Sequence, residues 1–118
     1  MKTIYHLTTC DTCRKIIKSL PTTEGFTLHD IKKQPLTEAE IEHLKGMAGS
    51  YEALFSRKAT LYKERGLKDK ILTEDDYKNL ILEHYTFLSR PVIVHGDTLF
   101  VGNKPKTVQA AIEAMSGR

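Results

Sequence analysis

The chain has 118 residues, of which 40% are apolar and 28% charged, and its formal net charge at pH 7 is +3. This length fits a single domain over residues 1–118 with a core of its own, since independent domains usually occupy roughly 100–200 residues. The basic residues are scattered among acids, which argues against a direct nucleic-acid partner. No apolar run approaches the roughly 18 residues of a membrane span, and no apolar signal region opens the chain. We therefore expect a cytoplasmic protein without a membrane partner.

The first part of the chain predicts a strand, a helix and a second strand. Residues 3–7 are β-branched and aromatic, which is typical of a strand. Apolar residues then recur at the spacing of one helical face, at Cys13, Ile16, Ile17 and Leu20. Pro21 ends this helix, and residues 26–31 alternate enough to indicate a second strand.

The middle of the chain predicts several helices. Thr37 and Glu40 form a candidate capping box at the start of a helix over residues 38–47. Two short helical pieces are expected next, at residues 51–55 and 61–65. Thr73 then precedes three acids, which suit the positive end of another helix.

The last part predicts a hairpin and a helix. Two β-rich runs, residues 92–94 and 98–101, flank His95-Gly96-Asp97, which is typical of a hairpin turn. Pro105 opens a final helix that is expected to end near Gly117. The element order is therefore β-α-β, several helices, then β-β-α.

Two cysteines, Cys10 and Cys13, follow the first strand at a spacing of three. The unpaired N–H groups at a helix start stabilise a thiolate, which is the reactive form of cysteine. A second cysteine one helical turn further on lies within disulfide reach. We expect Cys10 to attack and Cys13 to resolve, with a lowered Cys10 pKa that Asp11 opposes and Arg14 supports.

Other readings of the cysteine pair stay open. Cys13 lies on the apolar face and could be a small core residue. A zinc site needs about four ligands, and the sequence has no second Cys-x-x-Cys and no His-x-x-x-His, so we expect no metal. The pair could also have arisen by chance, although its place after a strand makes that less favoured.

Further motifs follow in a fixed order along the chain: TIYH at residues 3–6, HDIKKQP at 29–35, FSRK at 55–58, YKERGL at 62–67, RPVIV at 90–94 and VGNKP at 101–105. With Cys10, this set resembles the arsenate reductase and Spx family over nearly the full length. The resemblance implies an α/β, thioredoxin-like fold with a four-stranded mixed sheet. It also implies a helical insertion between the second strand and the final hairpin.

The resemblance also implies a site. It assigns the nucleophile to Cys10 and anion binding to Arg57 and Arg90, whose planar guanidiniums suit tetrahedral oxyanions. Asn103 stands where the arsenate reductases carry a third arginine, so it joins the candidate anion site without a bidentate donor. Pro91 matches a proline that is cis in this fold. Taken alone, each arginine could equally be a solvated surface residue or half of an ion pair.

Two functions follow from the resemblance. The first is an enzyme, a thiol-dependent oxidoreductase acting on an oxyanion or thiol substrate. It would be a monomer with no bound cofactor, reduced by glutathione, glutaredoxin or thioredoxin. The alternative is an Spx-like redox-sensing regulator that binds the C-terminal domain of the RNA polymerase α subunit. The cysteine pair favours the regulator, and residues 102–105 favour the reductase. Because Asn103 stands in place of the third arginine, the substrate could also be a compound other than arsenate.

Overall fold

Four strands form one mixed sheet within residues 1–116, which the computed structural model describes. The strands are β1 (Lys2–His6), β2 (Thr27–Asp30), β3 (Val92–His95) and β4 (Thr98–Val101). Their order across the sheet is β2-β1-β3-β4. The β1–β2 pair is parallel, and the β1–β3 and β3–β4 pairs are antiparallel. The predicted four-stranded mixed sheet is therefore confirmed.

The helices divide between two compact units. They are α1 (Asp11–Ser19), α2 (Glu38–Ala48), α3 (Thr60–Glu64), α4 (Glu74–Glu83) and α5 (Pro105–Met115). The first unit consists of Met1–Gln34 and the chain from Arg90 onward, and the second, Pro35–Ser89, is the predicted helical insertion. Whether both units form one domain, as predicted, stays a prediction. None of the helices in the described residues has the length and apolar character to cross a membrane.

The boundaries of the first helix differ from the prediction at its start. α1 begins at Asp11, ahead of the first apolar residue of its buried stripe, because a polar first turn carries no apolar signal. Its end agrees with the sequence: Leu20, which precedes Pro21, is extended at φ −71° and ψ 142°. The predicted end of the last helix near Gly117 lies outside the described residues.

One hydrophobic cluster joins the helices of the first unit to its sheet. Ile4, Ile93 and Phe100 are neighbours across β1, β3 and β4, so their side chains share one face of the sheet. Residues of both α1 and α5 pack against this face, together with the residue that ends α1: Ile17, Leu20, Ala111, Ile112 and Met115. This cluster holds the second half of α1 and the helix α5 against the sheet.

A two-residue turn closes the predicted hairpin. His95 pairs with Thr98, so Gly96 and Asp97 form the turn between β3 and β4. Gly96 has a φ of +62°, which suits the first central position of a type II′ turn. The prediction of a hairpin turn at these residues is confirmed.

Capping boxes start both long helices of the second unit. At α2, the Thr37 hydroxyl accepts a hydrogen bond from the Glu40 N–H (3.2 Å), and the Glu40 carboxylate accepts one from the Thr37 N–H (2.9 Å). At α4, Thr73 and Asp76 make the same reciprocal pair. Both starts agree with the sequence, since each pair satisfies two N–H groups that a helix leaves open.

We predict that Thr37→Ala lowers the free energy of unfolding by about 1 kcal/mol, because the hydroxyl of the capping box is lost. Urea unfolding followed by far-UV circular dichroism measures the change. Thr37→Ser is the matched control, because serine keeps the hydroxyl and should stay close to the native chain. Equal losses in both variants would contradict this role of the hydroxyl.

Candidate active site

Cys10 lies at the N-cap of α1, directly after the turn that leaves β1. Its backbone is extended at φ −96° and ψ 115°. The Cys10 N–H donates to the Leu7 carbonyl (3.0 Å), and the Cys10 carbonyl accepts the first helical hydrogen bond from the Arg14 N–H (3.1 Å). The half-buried sulfur therefore lies at the positive end of the helix.

Opposing influences act on the ionisation of Cys10. Burial is the largest of them and raises the pKa of its thiol. The backbone N–H of Cys13, the Cys13 thiol, the positive charge of Arg90 and the N–H of Thr12 act in the opposite direction. Together they outweigh burial and hold the pKa of Cys10 below the ordinary value of a cysteine.

Cys13 has the opposite character. It is fully buried in the first turn of α1, and both cysteines are free thiols. Burial raises the pKa of Cys13 to about 11, and the neighbouring Cys10 sulfur also raises it. The Cys13 thiol therefore stays protonated at neutral pH and donates a hydrogen bond to the Cys10 sulfur. Of the two thiols, Cys10 is the one that is partly exposed and has a lowered pKa.

Arg90, rather than Arg14, supplies the positive charge that acts on Cys10. The Arg14 side chain forms an ion pair with Asp11 and donates to the Thr8 carbonyl (2.7 Å). Asp11 and Arg14, which were expected to act on Cys10 in opposite directions, form an ion pair with each other. Arg90, far away in sequence, lies just before β3 in the same unit.

The Arg90–Pro91 peptide bond is cis, as the family resemblance predicted. The Pro91 carbonyl accepts a hydrogen bond from the Gly102 N–H (2.9 Å). Gly102 has a φ of +90°, a conformation that glycine adopts without steric cost. This hydrogen bond ties the residues before β3 to the loop that carries the exposed Asn103.

The Asp30 carboxylate anchors the loop before Cys10, and the sequence analysis did not select it. One of its oxygens accepts from the Thr8 hydroxyl (2.6 Å) and from the Thr8 N–H (3.3 Å). The other accepts from the N–H groups of Lys32 (2.9 Å) and Lys33 (3.1 Å). These four hydrogen bonds hold the pKa of Asp30 below its usual range despite burial, with the Thr8 hydroxyl as the largest cause. The anchor is present at neutral pH and is lost only as the pH falls through that lowered pKa.

A recognisable signal for Asp30 existed in the sequence. An aspartate at the end of a strand, followed by a polar exit loop, is typical of a side chain that caps the N–H groups two and three residues on. Its bond to Thr8 spans 22 residues and leaves no such local pattern. The sequence could therefore indicate the turn after β2, and only the fold shows that this turn holds the loop before Cys10.

Arg57 lies in the second compact unit, where it is already engaged. Its Nη2 atom donates to the Glu52 carboxylate (2.6 Å) and to the Tyr77 hydroxyl (3.1 Å). The structure thus brings Cys10, Cys13 and Arg90 together in the first unit, and it places Arg57 in a cluster with Glu52 and Tyr77. The described residues contain no group of three or more histidine, cysteine or acidic side chains that could hold a metal ion.

The model of the ArsC family matches residues 5–111 of this chain. The chain belongs to the ArsC family. The arsenate reductase of Rhizobium meliloti (strain 1021) is 30% identical over 95 residues, and the match covers 78% of this chain and 67% of that protein. The arsenate reductase of Escherichia coli (strain K12) is 28% identical over 94 residues, with the same shares covered.

Solved structures share the fold of this ArsC-family chain. An arsenate reductase from Vibrio cholerae gives a TM-score of 0.76 at 24% identity, covering 93% of this chain and 96% of that one. An arsenate reductase (ArsC) related protein from Brucella melitensis gives a TM-score of 0.70 at 26% identity, covering 92% of each. The predicted thioredoxin-like α/β fold is therefore confirmed.

We predict that Arg90→Gln raises the pKa of Cys10, because the variant removes the positive charge that favours the thiolate. The measurement is the rate of iodoacetamide alkylation at Cys10 against pH, followed by peptide mass mapping. In the native chain the rate should rise through a midpoint below pH 9.0, and the midpoint should move upward in the variant.

Arg90→Lys is the matched control for this titration. It keeps the positive charge, so its midpoint should lie nearer to that of the native chain. Cys13 is an internal reference in the same peptide map, because its raised pKa and burial predict no alkylation at neutral pH. Equal midpoints in the native chain and in Arg90→Gln would show that the charge of Arg90 does not set the ionisation of Cys10.

Proposed function

We propose that this chain is a thiol-dependent oxidoreductase in which Cys10 is the nucleophile and Cys13 the resolving thiol. One observation carries the proposal: the partly exposed Cys10 lies at the N-cap of α1 and the buried Cys13 lies in the first turn of the same helix. Their surroundings displace the two pKa values in opposite directions, with Cys10 lowered and Cys13 raised. A thiolate next to a protonated thiol is the arrangement that attack followed by internal resolution requires. Membership of the ArsC family supports the same reading.

The reaction proposed for an oxyanion substrate balances over two electrons. The Cys10 thiolate attacks the central atom of arsenate, and one oxygen leaves as water after taking up protons. Cys13 then loses its proton and attacks the Cys10 sulfur, which forms the disulfide. The bond between Cys10 and arsenic breaks, its electron pair stays on arsenic, and arsenite is released. Arsenate is thereby reduced by two electrons and the two thiols are oxidised.

An external thiol must return the disulfide to its reduced form, since the chain carries only these two cysteines. Glutathione, glutaredoxin or thioredoxin can supply the two electrons that this step consumes. Attack by such a thiol gives a mixed disulfide, and a second thiol then releases the protein. No bound cofactor enters this cycle.

The anion-binding part of the proposal rests on two arginines. Arg90 lowers the pKa of Cys10, so its charge acts where an anion would meet the sulfur. Arg57 is carried over from the family resemblance and would supply a second guanidinium. Asn103 offers an amide in place of a third guanidinium and cannot bind an oxyanion with two parallel donors. Weak arsenate binding, or a disulfide as the physiological substrate, would follow from this difference.

We predict that the native chain reduces arsenate in the presence of glutathione and glutaredoxin, and that Cys10→Ser reduces it only at the uncatalysed rate. Serine carries no thiolate, so the attack in the first step is lost. Arsenite formation measured against time gives the rate. No turnover by the native chain would remove arsenate as the substrate.

Cys13→Ser separates the two ways in which the intermediate can be resolved. Loss of turnover comparable to that of Cys10→Ser supports internal resolution by Cys13. Turnover that persists with glutathione assigns resolution to an external thiol and contradicts the proposed role of Cys13.

A redox-sensing regulator is the second candidate. The interaction between Cys10 and Cys13 favours it, because oxidation can form a disulfide between these two residues without a substrate. This candidate predicts that the chain binds the C-terminal domain of the RNA polymerase α subunit. A pull-down with that domain, run with oxidised and reduced protein, measures the binding. Retention that changes with oxidation supports the regulator, and no retention in either state excludes it.

A further inference from the structure

Arg57 already has an anionic partner within its own unit. Its Nη2 atom donates to Glu52 Oε2 at 2.6 Å and to the Tyr77 hydroxyl at 3.1 Å, and the Tyr77 hydroxyl lies 3.5 Å from the same Glu52 oxygen. The guanidinium also lies over the Tyr77 ring, 5.8 Å from its centroid. Three side chains therefore form one closed cluster around a single guanidinium nitrogen.

The cluster holds Arg57 in one place on the surface. Tyr77 is 8% exposed and packs against Phe55 (centroids 4.9 Å apart), so its ring is fixed. The side chains of Arg57 and Glu52 are each about half exposed, at 50% and 52%. Within the described residues, both hydrogen bonds of the guanidinium use Nη2. Nε and Nη1 each keep a hydrogen for a ligand from solvent, whereas both two-donor faces of the guanidinium include the engaged Nη2.

The Glu52 carboxylate changes the electrostatic environment of a ligand that binds Arg57. An anion that binds Nε or Nη1 comes close to the Glu52 carboxylate, and the net charge of the Arg57–Glu52 pair is zero. The repulsion from Glu52 is proportional to the charge of the ligand, so Glu52 weakens the binding of a doubly charged ligand more than that of a singly charged one. Tetrahedral dianions lose more than monoanions or neutral ligands.

We propose that Glu52 is a specificity-determining residue that neutralises Arg57 and selects against doubly charged tetrahedral oxyanions. The inference rests on the anion-binding role proposed for Arg57. It assigns the site a preference for ligands of low charge, such as a disulfide or a single carboxylate.

The test is protection of Arg57 against phenylglyoxal by arsenate at pH 7 and low ionic strength, where screening of exposed charges is weak. Peptide mass mapping assigns the modification to Arg57, and the half-protective arsenate concentration is the measured quantity. Glu52→Gln keeps the size and hydrogen-bonding oxygen of the side chain and removes its charge. No turnover is needed, so the result does not depend on whether the chain reduces arsenate.

A second ion pair in the chain provides the matched control. Arg65 donates two hydrogen bonds to Glu83, at 3.0 and 2.7 Å, in a similarly exposed pair. Glu83→Gln releases this arginine, which has no proposed ligand. It therefore reports any general effect of removing one acidic residue from the second unit.

We expect the half-protective arsenate concentration at Arg57 to fall about two- to fivefold in Glu52→Gln, the factor that an exposed ion pair is typically worth. It should stay unchanged in Glu83→Gln. An unchanged concentration in Glu52→Gln, an equal fall in both variants, or no protection of Arg57 at any arsenate concentration would each overturn the inference. Circular dichroism of both variants confirms that the comparison is made between folded proteins.

Discussion

Two opposing effects set the ionisation of Cys10: burial of its sulfur and hydrogen bonds that nearby groups donate to it. Burial alone would keep the Cys10 thiol protonated, because removing a charge from water is costly. Backbone N–H groups at the start of α1 and the charge of Arg90 offset that cost. The same helix buries Cys13 completely and leaves it few ways to ionise. Two cysteines three positions apart thus acquire different pKa values, because one is partly exposed and the other is buried in the same helical turn.

Local signals in the sequence were enough for most of the elements and for the place of Cys10 at a helix start. The Thr37–Glu40 capping box, the stop before Pro21 and the hairpin at Gly96 all depend on residues within a few positions of one another. Position at a helix start likewise follows from a strand, a short loop and an apolar stripe in succession. Each of these depends on backbone hydrogen bonding, which repeats with a known period.

Contacts between distant residues could not be predicted in the same way. The hydrogen bonds from Thr8 to Asp30 connect the ends of two strands. Arg90, whose charge acts on Cys10, is far from it in the sequence. The sequence did not predict the ion pair between Arg57 and Glu52 for another reason. The two residues are five apart, and the short 3-10 helix Glu52–Leu54 ends between them, so the three- and four-residue spacings of a helix do not predict their contact. Which charged side chains pair with each other can therefore be determined only from the folded structure.

The complete burial of Cys13 has a consequence for the lifetime of an oxidised state. A reductant arriving from solvent reaches a Cys10–Cys13 bond from the partly exposed Cys10 side, so Cys13 is the sulfur that must depart. A thiol with a pKa of about 11 is a poor leaving group, because exchange slows as the departing thiolate becomes more basic. Reduction of the oxidised pair would then be slow unless the reductant also delivers a proton to Cys13. Slow reduction would limit a rapid catalytic cycle. It would suit a regulator that has to stay oxidised after the oxidant is gone.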